Sequence, residues 1–217
     1  MRFRNRTEAG RLLAERLQPL DLHDPIVLGL PRGGVPVAAA VAAAISAPLD
    51  VFVARKIGAP GHEELGIGAV AEGVSAPVYT DVARQLGLGP DDLERLAAAA
   101  RRELERRVRQ YRGDRALPEL AGREVVVVDD GLATGVTAES ALGALRQHRP
   151  RRLVLAVPVT ARDTAARLAH LADDVVWVAA PHDFFAVGAW YDDFTQTSDD
   201  EVLEFLAEGA QHPAERS

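Results

Sequence analysis

Two adjacent carboxylates, followed by a short loop of small and hydroxyl residues, form the most informative pattern in the sequence. Asp129 and Asp130 come directly after four valines, and Thr134, Gly135 and Thr137 follow closely. Hydroxyl groups donate hydrogen bonds to phosphate oxygens, and glycine lets a backbone approach a ligand. Carboxylates repel phosphate but accept hydrogen bonds from sugar hydroxyls. The pattern therefore indicates a site for a ribose 5-phosphate; the alternative is that the acids cap a turn and a threonine caps a helix.

The elements around these residues are those that bind anions. Four consecutive valines, 125–128, cannot alternate between core and solvent, so they predict a strand buried on both faces. Residues 138–145 have helical spacing. A loop that leads from a strand into a helix offers free backbone N–H groups and the positive end of the helix dipole to a phosphate.

A second unit of the same kind lies near the start of the chain. The apolar residues 26–30 predict a strand, and residues 35–46 predict a helix. Between them, Arg32 offers a planar donor fork for phosphate oxygens, and Gly33 and Gly34 permit unusual backbone conformations. The loop is therefore a candidate for a second phosphate group, and the alternative is an ordinary turn.

Residues 125–137 together resemble the signature of the type I phosphoribosyltransferases, which bind phosphoribosyl pyrophosphate (PRPP). The resemblance extends over roughly residues 26–194. It implies an α/β fold, namely a Rossmann-like parallel sheet flanked by helices with a small aromatic hood, in a single domain of residues 1–217. It also implies a glycosyltransferase of the pentosyl type in nucleotide metabolism. Such an enzyme uses PRPP and Mg²⁺ to transfer phosphoribosyl to a nitrogenous base and releases pyrophosphate.

The resemblance and the residue chemistry together assign roles to particular side chains. Asp129 and Asp130 are expected to hold the ribose and to lie near the metal, with indirect contact. Arg55 and Lys56, two cations at the end of the predicted strand 49–54, suit a pyrophosphate. The predicted catalytic residues are therefore Asp129, Asp130, Lys56 and Arg55. The predicted substrate-binding residues are Arg32, Gly33, Gly34, Leu132, Ala133, Thr134, Gly135, Val136, Thr137, Phe185, Val187 and Asp192.

Two further segments are expected to enclose the site. Residues 57–72 are rich in glycine and predict a flexible loop, which in the resembled family closes over the reacting centre. Residues 181–197 are rich in aromatics and predict a hood, in which Phe185 stacks on the base and Asp192 lies near the pyrophosphate. The alternative for the hood is a hydrophobic cap on the sheet. Many 6-oxopurine enzymes carry a lysine beside the strand at 152–157, and this chain has none there, so the base stays unassigned.

Composition excludes several other classes of protein. A net charge of −7 argues against binding to nucleic acid or to an anionic membrane, although residues 101–112 hold six arginines and suggest a helix in solvent or at a homodimer contact. The chain has no cysteine, no apolar signal core and no apolar run of membrane-spanning length, so a cytoplasmic protein is expected. A rival function remains open, because a regulator that binds PRPP or a nucleotide without turnover would need the same loops.

Overall fold

The computed structural model describes residues 1–74 and 76–210, without the side chains of residues 63, 64, 78 and 210. The described strands are β1 (Pro25–Gly29), β2 (Leu49–Val51), β3 (Ala54–Ala59), β4 (His62–Ala71), β5 (Val78–Tyr79), β6 (Glu124–Val128), β7 (Arg152–Val159) and β8 (Asp174–Ala179). The described α-helices are α1 (Arg6–Leu17), α2 (Gly34–Ala44), α3 (Asp81–Gln85), α4 (Pro90–Arg112), α5 (Val136–Gln147), α6 (Arg162–Leu168) and α7 (Asp199–Ala210). Residues 211–217, which the sequence prediction includes in the domain, lie outside the part of the chain that the structure describes.

Five parallel strands in the order β2–β1–β6–β7–β8 form the main sheet. The strand β6 lies at the centre of this sheet, and its four valines are fully buried, as predicted. Val125 and Val127 pack toward α5, whereas Val126 and Val128 pack toward α1 and α2. Helices therefore cover both faces of the sheet, which confirms the predicted α/β fold and explains why the strand has no polar alternation.

The strand order places a crevice beside the two predicted anion-binding loops. The chain runs outward from β1 to β2, and β6 then returns to pair with the other side of β1. In open α/β sheets, ligands bind at the carboxyl ends of the strands, where the strand order reverses. The loops after β1 and β6 both leave the sheet at that point, and Leu30 N donates to Val128 O at 2.8 Å between them.

The glycine-rich segment differs from the sequence prediction. Residues 57–72, predicted as a flexible loop, form most of an antiparallel hairpin of β3 and β4, to which β5 adds a third strand. The register shifts on both sides of Gly58, so irregular pairing accommodates the glycines inside strands. The predicted strand 49–54 is correspondingly shorter, because β2 ends at Val51 and β3 begins at Ala54.

Several arginines of α4 bind carboxylates of the same chain. Arg106 and Arg107 both contact Glu103, and their hydrogen bonds lower the pKa of Glu103 to about 2. Arg112 is buried, with Nη1 2.7 Å from Glu72 Oε2 and Nη2 2.6 Å from Val51 O. The helix therefore ties β2 to the end of β4, at the base of the hairpin. Among the described residues, no helix is both long and apolar enough to cross a membrane.

Candidate functional site

The loop after β1 touches the acid pair after β6. A Cβ atom built on Gly34 would lie 2.6 Å from Val128 O and 2.9 Å from Asp129 Cα, and one built on Gly33 would lie 2.1 Å from Asp130 Oδ2. Contacts as short as these exclude a side chain at Gly34, since backbone atoms cannot move aside. The loop predicted for a second phosphate group and the acids predicted to hold the ribose therefore lie in direct contact.

The two carboxylates lie in different electrostatic environments. Burial raises the pKa of Asp129 well above its ordinary value, and the neighbouring Asp130 adds to that rise. Burial also raises the pKa of Asp130, but the guanidinium of Arg6 opposes the rise. Asp129 Oδ1 accepts a hydrogen bond from its neighbour's backbone, Asp130 N, at 2.9 Å. An acid of this kind gains from any ligand that offers it a hydroxyl donor or a positive charge.

Arg6 is a residue of the site that the sequence does not reveal. Its Nη2 lies 2.8 Å from Asp130 Oδ2 and its Nη1 donates to Thr195 O at 2.8 Å. Its guanidinium carbon also stands 4.0 Å from the centre of the Phe194 ring. Asn5 caps α1, because its Oδ1 accepts from Glu8 N at 3.0 Å. A helix-start pattern gives no hint that the first helical residue reaches an acid so distant in sequence.

The predicted phosphate loop, residues 132–137, is fixed at both ends. Leu132 is buried, and its N–H donates to Val159 O at the end of β7 at 2.9 Å. At the other end, Gly135 has φ +71° and caps α5, a conformation that L residues with side chains rarely adopt. Ala133 and Thr134 between them are exposed, Val136 and Thr137 half-buried. The loop therefore presents its middle to solvent on a rigid base.

The two predicted cations lie on opposite sides of β3, as neighbours in a strand must. Arg55 faces α4, where its Nη1 stands 4.0 Å from Glu103 Oε1. Lys56 faces the other way, and its Cδ would stand 3.1 Å from a Cβ on Gly66 of β4. The same Cβ position is 3.8 Å from Val136 Cγ2, at the start of α5. Lys56 therefore lies on the side of the hairpin that packs against α5, whereas Arg55 lies on the side that packs against α4.

Arg32 is half-buried in the loop after β1. A hydrogen bond from Tyr111, with a further contribution from Arg32, lowers the pKa of Asp199, the first residue of α7. The peptide bond between Pro31 and Arg32 is cis. The charge of Arg32 therefore acts on Asp199, the first carboxylate of α7.

The predicted hood is attached to the acid pair at one end and open at the other. Tyr191 is buried, packs on Phe3 and donates its hydroxyl to Asp130 O at 2.6 Å. Val187 packs against the backbone of Gly131, because its Cγ1 would be 2.6 Å from a Cβ built on that glycine. Phe185, in contrast, is 94% exposed. Asp192 is also exposed, and its Oδ1 lies 3.3 Å from Nε of Arg2.

The acid pair offers two neighbouring carboxylates to a metal ion. Among the described side chains, no group of three or more His, Cys, Asp or Glu residues could hold a metal ion. Mg²⁺ in phosphate-binding enzymes is often held by one or two carboxylates together with the phosphates of the substrate. Asp129 and Asp130 fit that smaller role.

Comparison with known proteins gives a consistent family. The model of the family "Phosphoribosyl transferase domain" matches residues 5–193. Two curated proteins of Mycobacterium tuberculosis, from strains H37Rv and CDC 1551, are 46% identical over 204 residues, or 94% of this chain. Both carry the name "Putative phosphoribosyl transferase". The match covers 46% of each of them, so the chain spans about half the length of these curated relatives.

Two solved structures share the fold of the chain. The crystal structure of TT1426 from Thermus thermophilus is 48% identical, with a TM-score of 0.82 over 96% of this chain and 99% of that one. The AQ2163 protein from Aquifex aeolicus shares the fold at 14% identity, with a TM-score of 0.51 over 93% of this chain and 82% of that one. The likeness to TT1426 covers both chains almost end to end.

Proposed function

The chain belongs to the phosphoribosyl transferase domain family, and from that premise we propose that it binds PRPP and transfers its phosphoribosyl group to a nitrogenous base. One observation carries the proposal: three elements suited to the three parts of PRPP meet at one point of the sheet. These are the loop of Gly33 and Gly34, the acid pair Asp129 and Asp130, and the loop 132–137.

Each part of PRPP has a chemically matched partner in this crevice. The loop 132–137 leads into the positive end of α5 and suits the 5-phosphate. The acid pair suits the ribose hydroxyls, because Asp129 lacks a cationic partner among the described residues that would compete for it. Arg32 and Lys56 supply positive charge for the pyrophosphate, and the backbone at Gly33 and Gly34 permits its close approach.

In this proposal the protein acts chiefly by position and charge. A ring nitrogen of the base forms a bond to the anomeric carbon of the ribose while the bond from that carbon to pyrophosphate breaks. Positive charge develops on the ribose, and the carboxylate of Asp129 favours it. Negative charge accumulates on the leaving group, and Lys56 and Arg32 favour that. Because the site holds the two reactants in position, catalysis depends little on covalent bonds between the protein and the substrate.

We propose Mg²⁺ as the cofactor. Asp129 and Asp130 are the carboxylates that would lie beside the ion, because Mg²⁺ at phosphate-binding sites is held by one or two carboxylates together with the substrate. When bound, the ion would neutralise part of the charge on the departing pyrophosphate.

The hood supports a flat heterocycle as acceptor but does not identify it. Phe185 offers an uncovered aromatic face, and Val187 offers an apolar contact above Gly131. The nearest cation after β7 is Arg162, whose Nε donates to Ala180 O at 2.8 Å. The panel of bases in the test below therefore includes purines, pyrimidines and other nitrogen heterocycles.

The experiment is incubation of the protein with labelled PRPP, Mg²⁺ and a panel of purine, pyrimidine and other nitrogen bases, with pyrophosphate release followed. We expect release that depends on one class of base and yields the corresponding nucleotide. Tight PRPP binding without turnover on any base would instead support a PRPP-binding regulator. Failure to bind PRPP at all would refute the proposal.

A further inference from the structure

The short helix α6 contacts the back of the phosphate loop through two side-chain donors. Thr164 is buried, and its Oγ1 donates to Ala133 O at 2.7 Å. Arg167 Nη2 donates to Thr134 O, and Nη1 pairs with Glu139 in the first turn of α5. Two successive carbonyl groups of the loop are therefore held toward the same helix.

The geometry of the peptide bond also fixes the direction of the neighbouring N–H groups. In a trans peptide the C=O of one residue and the N–H of the next point in opposite directions. The only cis peptide among the described residues is Pro31–Arg32, so both peptide bonds of interest are trans. With Ala133 O and Thr134 O fixed toward α6, the N–H groups of Thr134 and Gly135 must point away from it.

Gly135 makes this arrangement possible. A Cβ there would lie 2.7 Å from Thr164 Cγ2 and 3.0 Å from Leu168 Cδ1, so α6 packs directly against the backbone. The left-handed conformation of Gly135 sets two consecutive N–H groups side by side, the arrangement that forms an anion-binding concavity. The first N–H groups of α5, which have no partner within the helix, continue the same row.

We propose that Thr164 and Arg167 are positioning residues for the 5-phosphate: they act through the loop carbonyls and do not touch the ligand. The inference rests on the proposed function, since it concerns the phosphate-binding step of that reaction. Arg167 has a second effect, because it neutralises Glu139, a carboxylate in the turn that receives the phosphate. Loss of either side chain would free the peptide planes to rotate and scatter the N–H donors.

The chain supplies a matched control. Arg146 on α5 also combines a carboxylate and a backbone carbonyl, with Nη1 2.9 Å from Asp173 Oδ2 and Nη2 3.0 Å from Leu171 O. The side chains of Arg146 and Arg167 are 42% and 43% exposed. The two arginines therefore make similar bonds in similar solvent, but only Arg167 holds the phosphate loop.

The test is calorimetric titration of ribose 5-phosphate and, separately, of pyrophosphate with Mg²⁺, into the intact protein and its variants. Thr164→Val and Arg167→Met should each weaken ribose 5-phosphate binding by roughly tenfold, as expected for hydrogen bonds that involve charged or buried groups. Pyrophosphate affinity should be unchanged. Thr164→Ser retains the hydroxyl and should bind as the parent does, Arg167→Lys should recover part of the loss, and Arg146→Met should change neither affinity.

The opposing results are distinct. Unchanged ribose 5-phosphate affinity in Thr164→Val and Arg167→Met would overturn the positioning role. An equal loss for both ligands, with a lower melting temperature, would also overturn it, since that pattern marks a general structural defect. If the parent protein binds neither ligand, the proposed function fails first and this inference fails with it.

Discussion

Arg6 Nη2 lies 2.8 Å from Asp130 Oδ2, so the first helix of the chain closes onto the second acid of the pair. The two side chains are only 11% and 15% exposed. The same guanidinium packs on Phe194 and binds Thr195 O. One residue therefore joins α1, the acid pair and the end of the hood. Asp130 is thereby fixed in place, and Asp129 is left with the larger unfavourable effect of burial.

We expect Arg6→Met to disturb both stability and ligand binding. Loss of a partly buried, charged hydrogen-bonded partner should lower the free energy of unfolding by about 2 kcal/mol. It should also weaken PRPP binding, because Asp130 would lose its fixed orientation. Urea denaturation and PRPP titration measure the two effects. Arg4→Met is the control, since Arg4 binds Glu8 from a side chain that is 76% exposed, and should change little. Equal behaviour of the two variants would contradict the account.

We expect Asp129→Asn to stabilise the ligand-free protein at neutral pH while it impairs PRPP binding. Burial raises the pKa of Asp129, so the folded protein binds this proton more tightly than the unfolded chain does. The corresponding stability is present at low pH and is lost as pH rises from about 3.9 through the folded pKa. Removal of the charge recovers about 1.4 kcal/mol for each unit of the rise.

Melting temperature as a function of pH tests this directly. The difference between Asp129→Asn and the parent should grow in favour of the variant as pH rises from 4 toward 7. Comparison of the two proteins cancels the titration of the carboxylates that do not interact with Asp129, whereas the mutual repulsion of Asp129 and Asp130 is part of the measured difference. A variant that melts below the parent at pH 7 would show that Asp129 serves the fold.

We expect Lys56, but not the N-terminal amine, to be protected from amine-reactive reagents by PRPP and Mg²⁺. The chain has no other lysine, so the two amines account for all labelling. Lys56 lies beside Gly66, and a Cβ built on Gly66 would also be 3.8 Å from Val136 Cγ2 in the first turn of α5. Mass spectrometry after timed labelling gives both rates. Equal rates at Lys56 with and without saturating ligand would place its amine away from the pyrophosphate.

A pair of substitutions separates the two neighbouring cations. Lys56→Met should weaken pyrophosphate binding by tenfold or more, roughly the effect of one lost ion pair at a shielded site. Arg55→Met should have a smaller effect, because Arg55 faces α4 and Glu103. A larger loss in Arg55→Met would restore the sequence-based expectation that both cations bind the leaving group.

We expect Arg112→Met to destabilise the protein by roughly 3–5 kcal/mol, since it leaves Glu72 and Asp50 buried without their cation. The network lies at the base of the hairpin, so hydrogen exchange in β3 and β4 should also rise. Arg109→Met, on the exposed face of the same helix, should stay within about 0.5 kcal/mol of the parent. Denaturation that does not distinguish the two variants would refute this role for Arg112.

The sequence was most informative where local pattern and chemistry coincide. The valines 125–128 predicted a doubly buried strand, and the acids and threonines after them predicted the family that the comparison confirms. The hairpin was missed because strand formation there depends on the pairing of Ile57 with Gly68, a partner that glycine content does not disclose. Arg6 was missed because only the fold brings α1 to Asp130. The placement of Arg55 and Lys56 on opposite sides of β3 could have been predicted, because successive side chains of a strand point to opposite faces.

The most direct test of the account is a crystal structure of the protein with PRPP and Mg²⁺ bound. We predict the 5-phosphate within hydrogen-bond distance of the N–H groups of residues 134–137 and the ribose hydroxyls at Asp129 and Asp130. The pyrophosphate should lie between Arg32 and Lys56. PRPP bound away from the crevice at β1 and β6, or bound there with its 5-phosphate distant from the loop 132–137, would contradict the central claim.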